Sequence, residues 1–355
     1  MGVSIRRLRR LTTVVAAALG TVALAACGSE DDASTSAATA AAGTTAAAPA
    51  QEEVGVALFI ASLGDGYTRA VFESVEETAA EMGATVKTFN AEYDPQKQQQ
   101  QCQDAIVTQK YQAFVIHSVD GPSMVNCVRA AVDAGIKVAA IGSPIGPDVD
   151  TTEPQVEGIV GTVLESPSTM GKALAELTVE ACADRDPCKV IYEFGPPEFS
   201  FAANVRSTFR DLIAEHPSIE IVAEGSHHFV PDEARTLTQQ LLQAHGDAHV
   251  ITSDDDPAAV ALLGVVEDMG KDIAVIGGAG AREAADLVAE GKMFGSAVMV
   301  PRSEARAGTE MVIKAARGED PGETQINNAE DLSPVGPKLT ADNVADFDAE
   351  WSMGG

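Results

Sequence analysis

The run Ala113-Phe114-Val115-Ile116-His117-Ser118-Val119-Asp120-Gly121 begins apolar and ends abruptly in a polar turn holding one carboxylate. A short segment rich in Phe, Val and Ile, with helical patterns on both sides, reads as a strand buried on both faces of a parallel sheet. Sheets of that kind bind ligands beyond the carboxyl ends of their strands. Asp120 stands where a binding group would sit, and equally where a carboxylate would cap a helix starting near Pro122.

Outward from this strand the same alternation recurs. Toward the amino terminus, residues 54–60 form an apolar strand, 61–66 a loop, and Val71, Val75, Ala79 and Met82 recur at helical spacing. Residues 85–90 form the next strand, and Asp94-Pro95 opens a helix with a capping residue and a first-turn proline. After Asp120 a helix runs to Ala134, Gly135 ends it, and residues 137–141 form a strand. These steps make one doubly wound lobe. Residues 142–157, with Pro144, Pro147 and Pro154, interrupt the pattern. A second lobe is then expected, with strands at 158–163, 189–194, 219–224, 249–253 and 273–277 and helices at 169–183, 199–214, 232–244 and 257–269. A late strand (295–300), a late helix (302–317) and a strand with loops beyond 318 complete the chain. The fold class is α/β, with two doubly wound parallel-sheet lobes.

The chain has 355 residues, 45% of them hydrophobic, which suffices for a large core, and its formal charge is −29. An acidic surface repels phosphate backbones, so nucleic acid is excluded as a partner. Residues 1–26 have a basic start, an apolar run and small residues at the end, the layout of a secretory signal. The tetrapeptide Leu24-Ala25-Ala26-Cys27 resembles the lipobox of bacterial lipoproteins, which implies acylation of Cys27 and a membrane tether outside the cytoplasm. Residues 27–53 are dominated by Ala, Thr, Ser and acid and read as a flexible tether. Of the remaining cysteines, Cys182 and Cys188 flank a turn-like segment, and Cys102 and Cys127 fall on consecutive helices. An even number in an exported chain favours the pairs Cys102–Cys127 and Cys182–Cys188, with free buried thiols as the alternative.

Six segments in order resemble the type I periplasmic sugar-binding proteins, the ribose-binding group of receptors for ABC transporters. They are Tyr67-Thr-Arg-Ala-Val-Phe-Glu-Ser-Val-Glu-Glu, Asn90-Ala-Glu-Tyr-Asp-Pro-Gln-Lys-Gln, Val119-Asp120, Ala134-Gly-Ile-Lys-Val, Ser253-Asp-Asp-Asp-Pro-Ala and Val275-Ile-Gly-Gly-Ala-Gly. The resemblance covers residues 54–347 and implies two lobes joined by a three-crossing hinge, with the ligand clamped between them. It places residues 54–143 and 300–327 in the first lobe and 144–299 and 328–355 in the second. It puts Asp65, Tyr67 and Thr68 at the first-loop contacts, with Thr68 departing from the usual aromatic. Asp120 falls on the carboxylate that accepts from sugar hydroxyls, Phe229 on the second stacking position, and Asp254 on a polar contact. Arg206 lies one residue out of register with the ligand-binding arginine. Ala279 and Met299 replace two polar anchors, so a less hydroxylated, aromatic or deoxy ligand stands beside a sugar as an expectation.

The structural readings of the same residues are plain: Asp65 as a turn residue, Tyr67 as packing at a helix start, Phe229 as a loop plug. His227-His228 with Asp232 and Glu233 is a poor metal set, because adjacent side chains on extended chain point apart. Asp254-Asp255-Asp256 lacks the spaced oxygens of a calcium loop, and Gly277-Gly278-Ala279-Gly280 lacks the dinucleotide spacing. The expectation is a monomeric, cofactor-free, metal-free binding protein that passes a small molecule to an ABC permease, or alternatively reports it to a membrane signalling receptor. A hydrolase is the minority reading.

Overall fold

The computed structural model describes residues 53–354. The signal-like segment, Cys27 and nearly all of the tether lie outside the described residues.

In chain order the elements are β1 (Gly55–Ile60), α1 (Gly66–Glu81), β2 (Thr85–Asn90), α2 (Pro95–Thr108), β3 (Ala113–His117), α3 (Gly121–Asp133), β4 (Lys137–Gly142) and β5 (Gly161–Leu164). There follow α4 (Pro167–Ala181), β6 (Cys188–Phe194), α5 (Ser200–Ile213), β7 (Ile219–Ser226), α6 (Pro231–Ala244), β8 (Val250–Ser253) and α7 (Asp256–Asp268). The last are β9 (Ala274–Ala279), α8 (Arg282–Ala289), β10 (Gly295–Val298), α9 (Pro301–Ala316), β11 (Gln325–Asn327) and β12 (Lys338–Thr340). They build two six-stranded sheets, ordered β11-β5-β4-β3-β1-β2 and β12-β10-β9-β8-β6-β7. Every pairing is parallel except that of β10 with β12.

Each strand feeds two layers of core, because successive side chains point to opposite faces. In β1, Val56, Leu58 and Ile60 pack with Val71 and Val75 of α1 and Val312 of α9. Ala57 and Phe59 pack on the other face with Phe114, Ile116, Met124 and Val128. Aspartates cap the helices that leave the carboxyl ends of β1, β2, β3 and β8: Asp65, Asp94, Asp120 and Asp255 each accept from first-turn backbone N–H groups. Disulfides join Cys102 to Cys127, across α2 and α3, and Cys182 to Cys188, across the turn between α4 and β6.

The boundary between the lobes differs from the one expected at residue 144. β5 pairs with β4 in the first sheet, and Ile145 and Val156 are buried in the first lobe's core, so residues 144–164 belong to the first lobe. The prolines that interrupt the pattern fold a loop back over α3 and do not mark an exit. The chain crosses at Glu165–Ser166, returns at Val300, and crosses again beyond Asn328 toward β12. Hydrogen bonds bind the crossings together, from Val300 N–H to Asn328 Oδ1 at 2.8 Å and from Asn327 Nδ2 to Thr169 Oγ1 at 3.2 Å. The carboxyl-terminal segment touches both lobes. Glu350 accepts from the first-turn N–H groups of Arg302 and Ser303, while Trp351 Nε1 donates to the Ala279 carbonyl at 2.8 Å.

Candidate functional site

The carboxyl ends of β1 to β4 in the first lobe face the loop after β6 in the second, and between them lies a cavity of about 390 Å³. Tyr93, His117, Asp120 and Ser143 line it from the first lobe, Glu198 and Phe199 from the second. The volume falls within the range of small-molecule sites. Among the described residues lining it there is no lysine or arginine.

Asp120 caps the helix it precedes and also stands on the cavity wall. Its Oδ2 accepts from the Ser123 N–H at 2.9 Å and caps α3, while the residue is exposed on the cavity wall. Beside it, the His117 ring lies against the α-carbon of Gly142, where an added Cβ would come within 2.5 Å of Cδ2. Glycine is therefore required at 142, which also has φ +69. Burial pulls the imidazole pKa down to about 4 against the opposing charge of Asp65, so His117 is neutral.

The other residues expected from sequence lie off this wall. Tyr67 packs its ring edge-on against Trp351, with centroids 5.8 Å apart, and buries its hydroxyl between the lobes without a hydrogen-bond partner among the described residues. Burial and then the charges of Glu304, Glu165, Glu350 and Asp65 push its pKa well above the ordinary phenol value. Thr68 is buried in the first turn of α1. Asp65 uses Oδ1 for the Thr68 N–H and Oδ2 for the Tyr93 hydroxyl, at 2.8 and 2.7 Å. Met299 packs among the apolar side chains of the second lobe.

In the second lobe, Asp254 is buried and accepts from the Gly195 N–H at 2.9 Å, with His227 Nε2 at 3.3 Å. His227 Nδ1 accepts from the Phe229 N–H, which leaves the ring proton on Nε2, facing Asp254. His228 turns outward to Glu233 at 2.8 Å, so the two histidines diverge. Phe229 is exposed, with its ring over Gly195, where a Cβ would meet it at 2.3 Å. Arg206 pairs with Glu224 at 2.9 Å and stands 4.2 Å above the Phe194 ring.

Sequence patterns singled out neither Tyr93 nor a carboxyl pair at the hinge. Glu165 lies on the first crossing, and Glu304 opens α9 after the second. Both are fully buried, and Glu165 Oε1 and Oε2 and Glu304 Oε1 have no hydrogen-bond partner among the described residues. Glu304 Oε2 accepts from Asn328 Nδ2 at 2.6 Å. Burial, opposed by the Asn328 bond and reinforced by Glu350, raises the Glu304 pKa to about 8. Burial and the charges of Glu304 and Glu330 raise that of Glu165 well above the carboxylate range. The only local signal was the acid Glu165 at the end of an apolar strand; Glu304, among Arg302, Ser303 and Arg306, reads as solvated helix surface until the crossings are known.

Two sheets facing each other across a cavity match known proteins. Residues 56–320 match the family described as the periplasmic binding protein domain. The ribose import binding protein of Bacillus subtilis strain 168 is 24% identical over 262 residues, spanning 73% of this chain and 81% of that protein. The D-apiose import binding protein of Actinobacillus succinogenes is 24% identical over 249 residues, spanning 69% and 76%. Among solved structures, a Mycobacterium smegmatis ABC transporter solute binding protein with bound glycerol superposes with a TM-score of 0.69 at 24% identity, over 84% of this chain and 99% of that one. The Caulobacter myo-inositol binding protein bound to myo-inositol gives 0.70 at 21%, over 85% and 98%.

Proposed function

Since the chain belongs to the periplasmic binding protein family, in its ribose-binding-like group, we propose that it captures a neutral sugar or sugar-like polyol between its lobes and delivers it to an ABC importer. Members of this family bind small molecules outside the cytoplasm and perform no catalysis, and this chain is a two-lobed binder of that kind. The observation that carries the finer reading is the cavity: both lobes wall it, Asp120 and Glu198 offer carboxylates to hydroxyl donors, Tyr93 and Phe199 offer apolar faces, and no cation faces it among the described residues. An anionic ligand such as a sugar acid or phosphate finds no counter-charge there.

A ligand touching both walls gains its full contacts only when the lobes are together, so closure follows from differential affinity. In this reading acyl chains on Cys27 hold the protein at the membrane, the tether of residues 27–53 gives it reach, and it works as a monomer beside a permease. Asp120 is the principal polar anchor. Asp254 and Asp65 act through the loops they hold, and Arg206, paired with Glu224, takes no part in binding.

The test is calorimetric titration of the mature chain with neutral monosaccharides, inositols and glycerol, with sugar acids and sugar phosphates as counter-panel. Saturable binding of a neutral compound supports capture. Binding confined to the anionic compounds refutes it.

A further inference from the structure

We propose that Tyr93, held by Asp65, is the first-lobe platform on which the ligand's apolar face lies, opposite Phe199 of the second lobe. This rests on the capture reading above and assigns the stacking contact to the loop after β2, where the family resemblance placed it in the loop after β1. Tyr67 of that earlier loop is unavailable, because its ring is committed to Trp351 between the lobes. Tyr93 is 51% exposed and Phe199 42%, and both line the cavity.

The backbone supports the assignment. Glu92 and Tyr93 have φ values of 55 and 60, a left-handed pair that side-chain-bearing residues adopt at an energetic penalty. The pair is held by hydrogen bonds from the Tyr93 N–H to the Ala61 carbonyl at 2.8 Å and from the Asp94 N–H to the Ala91 carbonyl at 3.0 Å. The second lobe repeats the device. His228 and Phe229 have φ values of 50 and 59, and the Val230 N–H donates to the His227 carbonyl at 2.8 Å. Even the entry bonds correspond, Ala91 N–H to the Ile60 carbonyl and His227 N–H to the Phe194 carbonyl. Each lobe thus turns an exposed aromatic outward at the same point of its fold. Strain of this kind persists where the surroundings enforce it, here the backbone bonds, and in the first lobe the 2.7 Å bond from the Tyr93 hydroxyl to Asp65 Oδ2 also fixes the direction of the ring.

Both Asp65 oxygens are engaged within the protein, so Asp65 is a positioning residue and Tyr93 the contact. The platform selects a ligand with one face of C–H groups and hydroxyls at its edge, within reach of Asp120. Neutral furanoses, pyranoses and inositols have that shape.

The experiment titrates the full mature chain with D-ribose, D-allose, myo-inositol and glycerol, then repeats the tightest of these with variants. Tyr93→Ala should weaken binding at least tenfold and Tyr93→Leu by less, while Tyr67→Phe should leave Kd within twofold. Tyr93→Phe and Asp65→Ala should weaken it by similar factors, the double variant no further, and Asp65→Asn should restore most of the affinity. Thermal unfolding checks that the Tyr93 variants remain folded, as expected for a half-exposed ring. Wild-type affinity in both Tyr93→Ala and Tyr93→Leu overturns the platform while leaving capture intact. Additive losses in the double variant overturn the positioning role of Asp65. A wild-type chain that binds none of the four compounds overturns both the capture reading and this inference.

Discussion

Replacing Glu304 with Gln should stabilise the protein at neutral pH and leave it unchanged in acid. The Glu304 carboxyl is fully buried at the hinge, with one oxygen bonded to Asn328 and the other without a partner among the described residues. Its pKa of about 8 lies above the ordinary 4.5. A carboxyl whose folded pKa is raised keeps its proton in the fold while the unfolded chain loses it. Stability is therefore full below about pH 4.5 and falls as pH rises toward about 8. At about 1.4 kcal/mol per pH unit, the deficit at pH 7 is roughly 3 kcal/mol. Gln carries no such penalty, and its side-chain carbonyl still accepts from Asn328 Nδ2, whose orientation is set by Val300 N–H donating to Asn328 Oδ1. Glu193, Asp255 and Asp256 also have raised pKa values and steepen the wild-type pH slope, yet they cancel in the comparison of variant with wild type. Thermal unfolding from pH 4.5 to 8.5 should show the two midpoints coinciding in acid and the variant about 6 °C higher near pH 7, using about 2 °C per kcal/mol for a domain of this size. A variant no more stable than wild type at pH 7, or a difference that persists unchanged at pH 4.5, would refute the reasoning.

Asp120→Ala should weaken ligand affinity about 10- to 100-fold, the loss of a charge-assisted hydrogen bond, and lower stability by about 1 kcal/mol through the lost cap. Asp120→Ser keeps the cap and isolates the binding loss, so calorimetry and thermal unfolding together separate the two roles. Arg206→Ala should leave Kd within twofold and destabilise by about 1 kcal/mol, since its pair with Glu224 and its contact with Phe194 lie away from the cavity; a large affinity loss would return Arg206 to the ligand. Replacing Cys102 and Cys127 together by Ala should remove about 3 kcal/mol, the loop-closure contribution of a bridge spanning 25 residues, measured by denaturant unfolding in the absence of reductant.

Much of the architecture was written locally. β3 could be read from its apolar run, and Asp94-Pro95 marked the start of α2, because strand burial and helix capping depend on residues a few positions apart. The hinge was not, because residues 144–164 look like a linker until Ile145, Val156 and β5 are seen packed in the first lobe. The candidate site divides the same way. Asp120 was legible, since a lone carboxylate at the end of a buried strand has few uses. Tyr93 was not, although it lies within a segment that carried the family resemblance: its exposure depends on a left-handed backbone pair and a bond from a residue 28 positions away. Sequence alone determined an acidic α/β chain of two lobes with Asp120 at a strand tip, because periodicity, capping and composition are properties of near neighbours. Tertiary structure alone decided that Tyr67 turns inward, that Tyr93 faces the cavity opposite Phe199, and that Glu165 and Glu304 are buried at the hinge. Exposure and pKa are set by whatever the rest of the chain brings alongside.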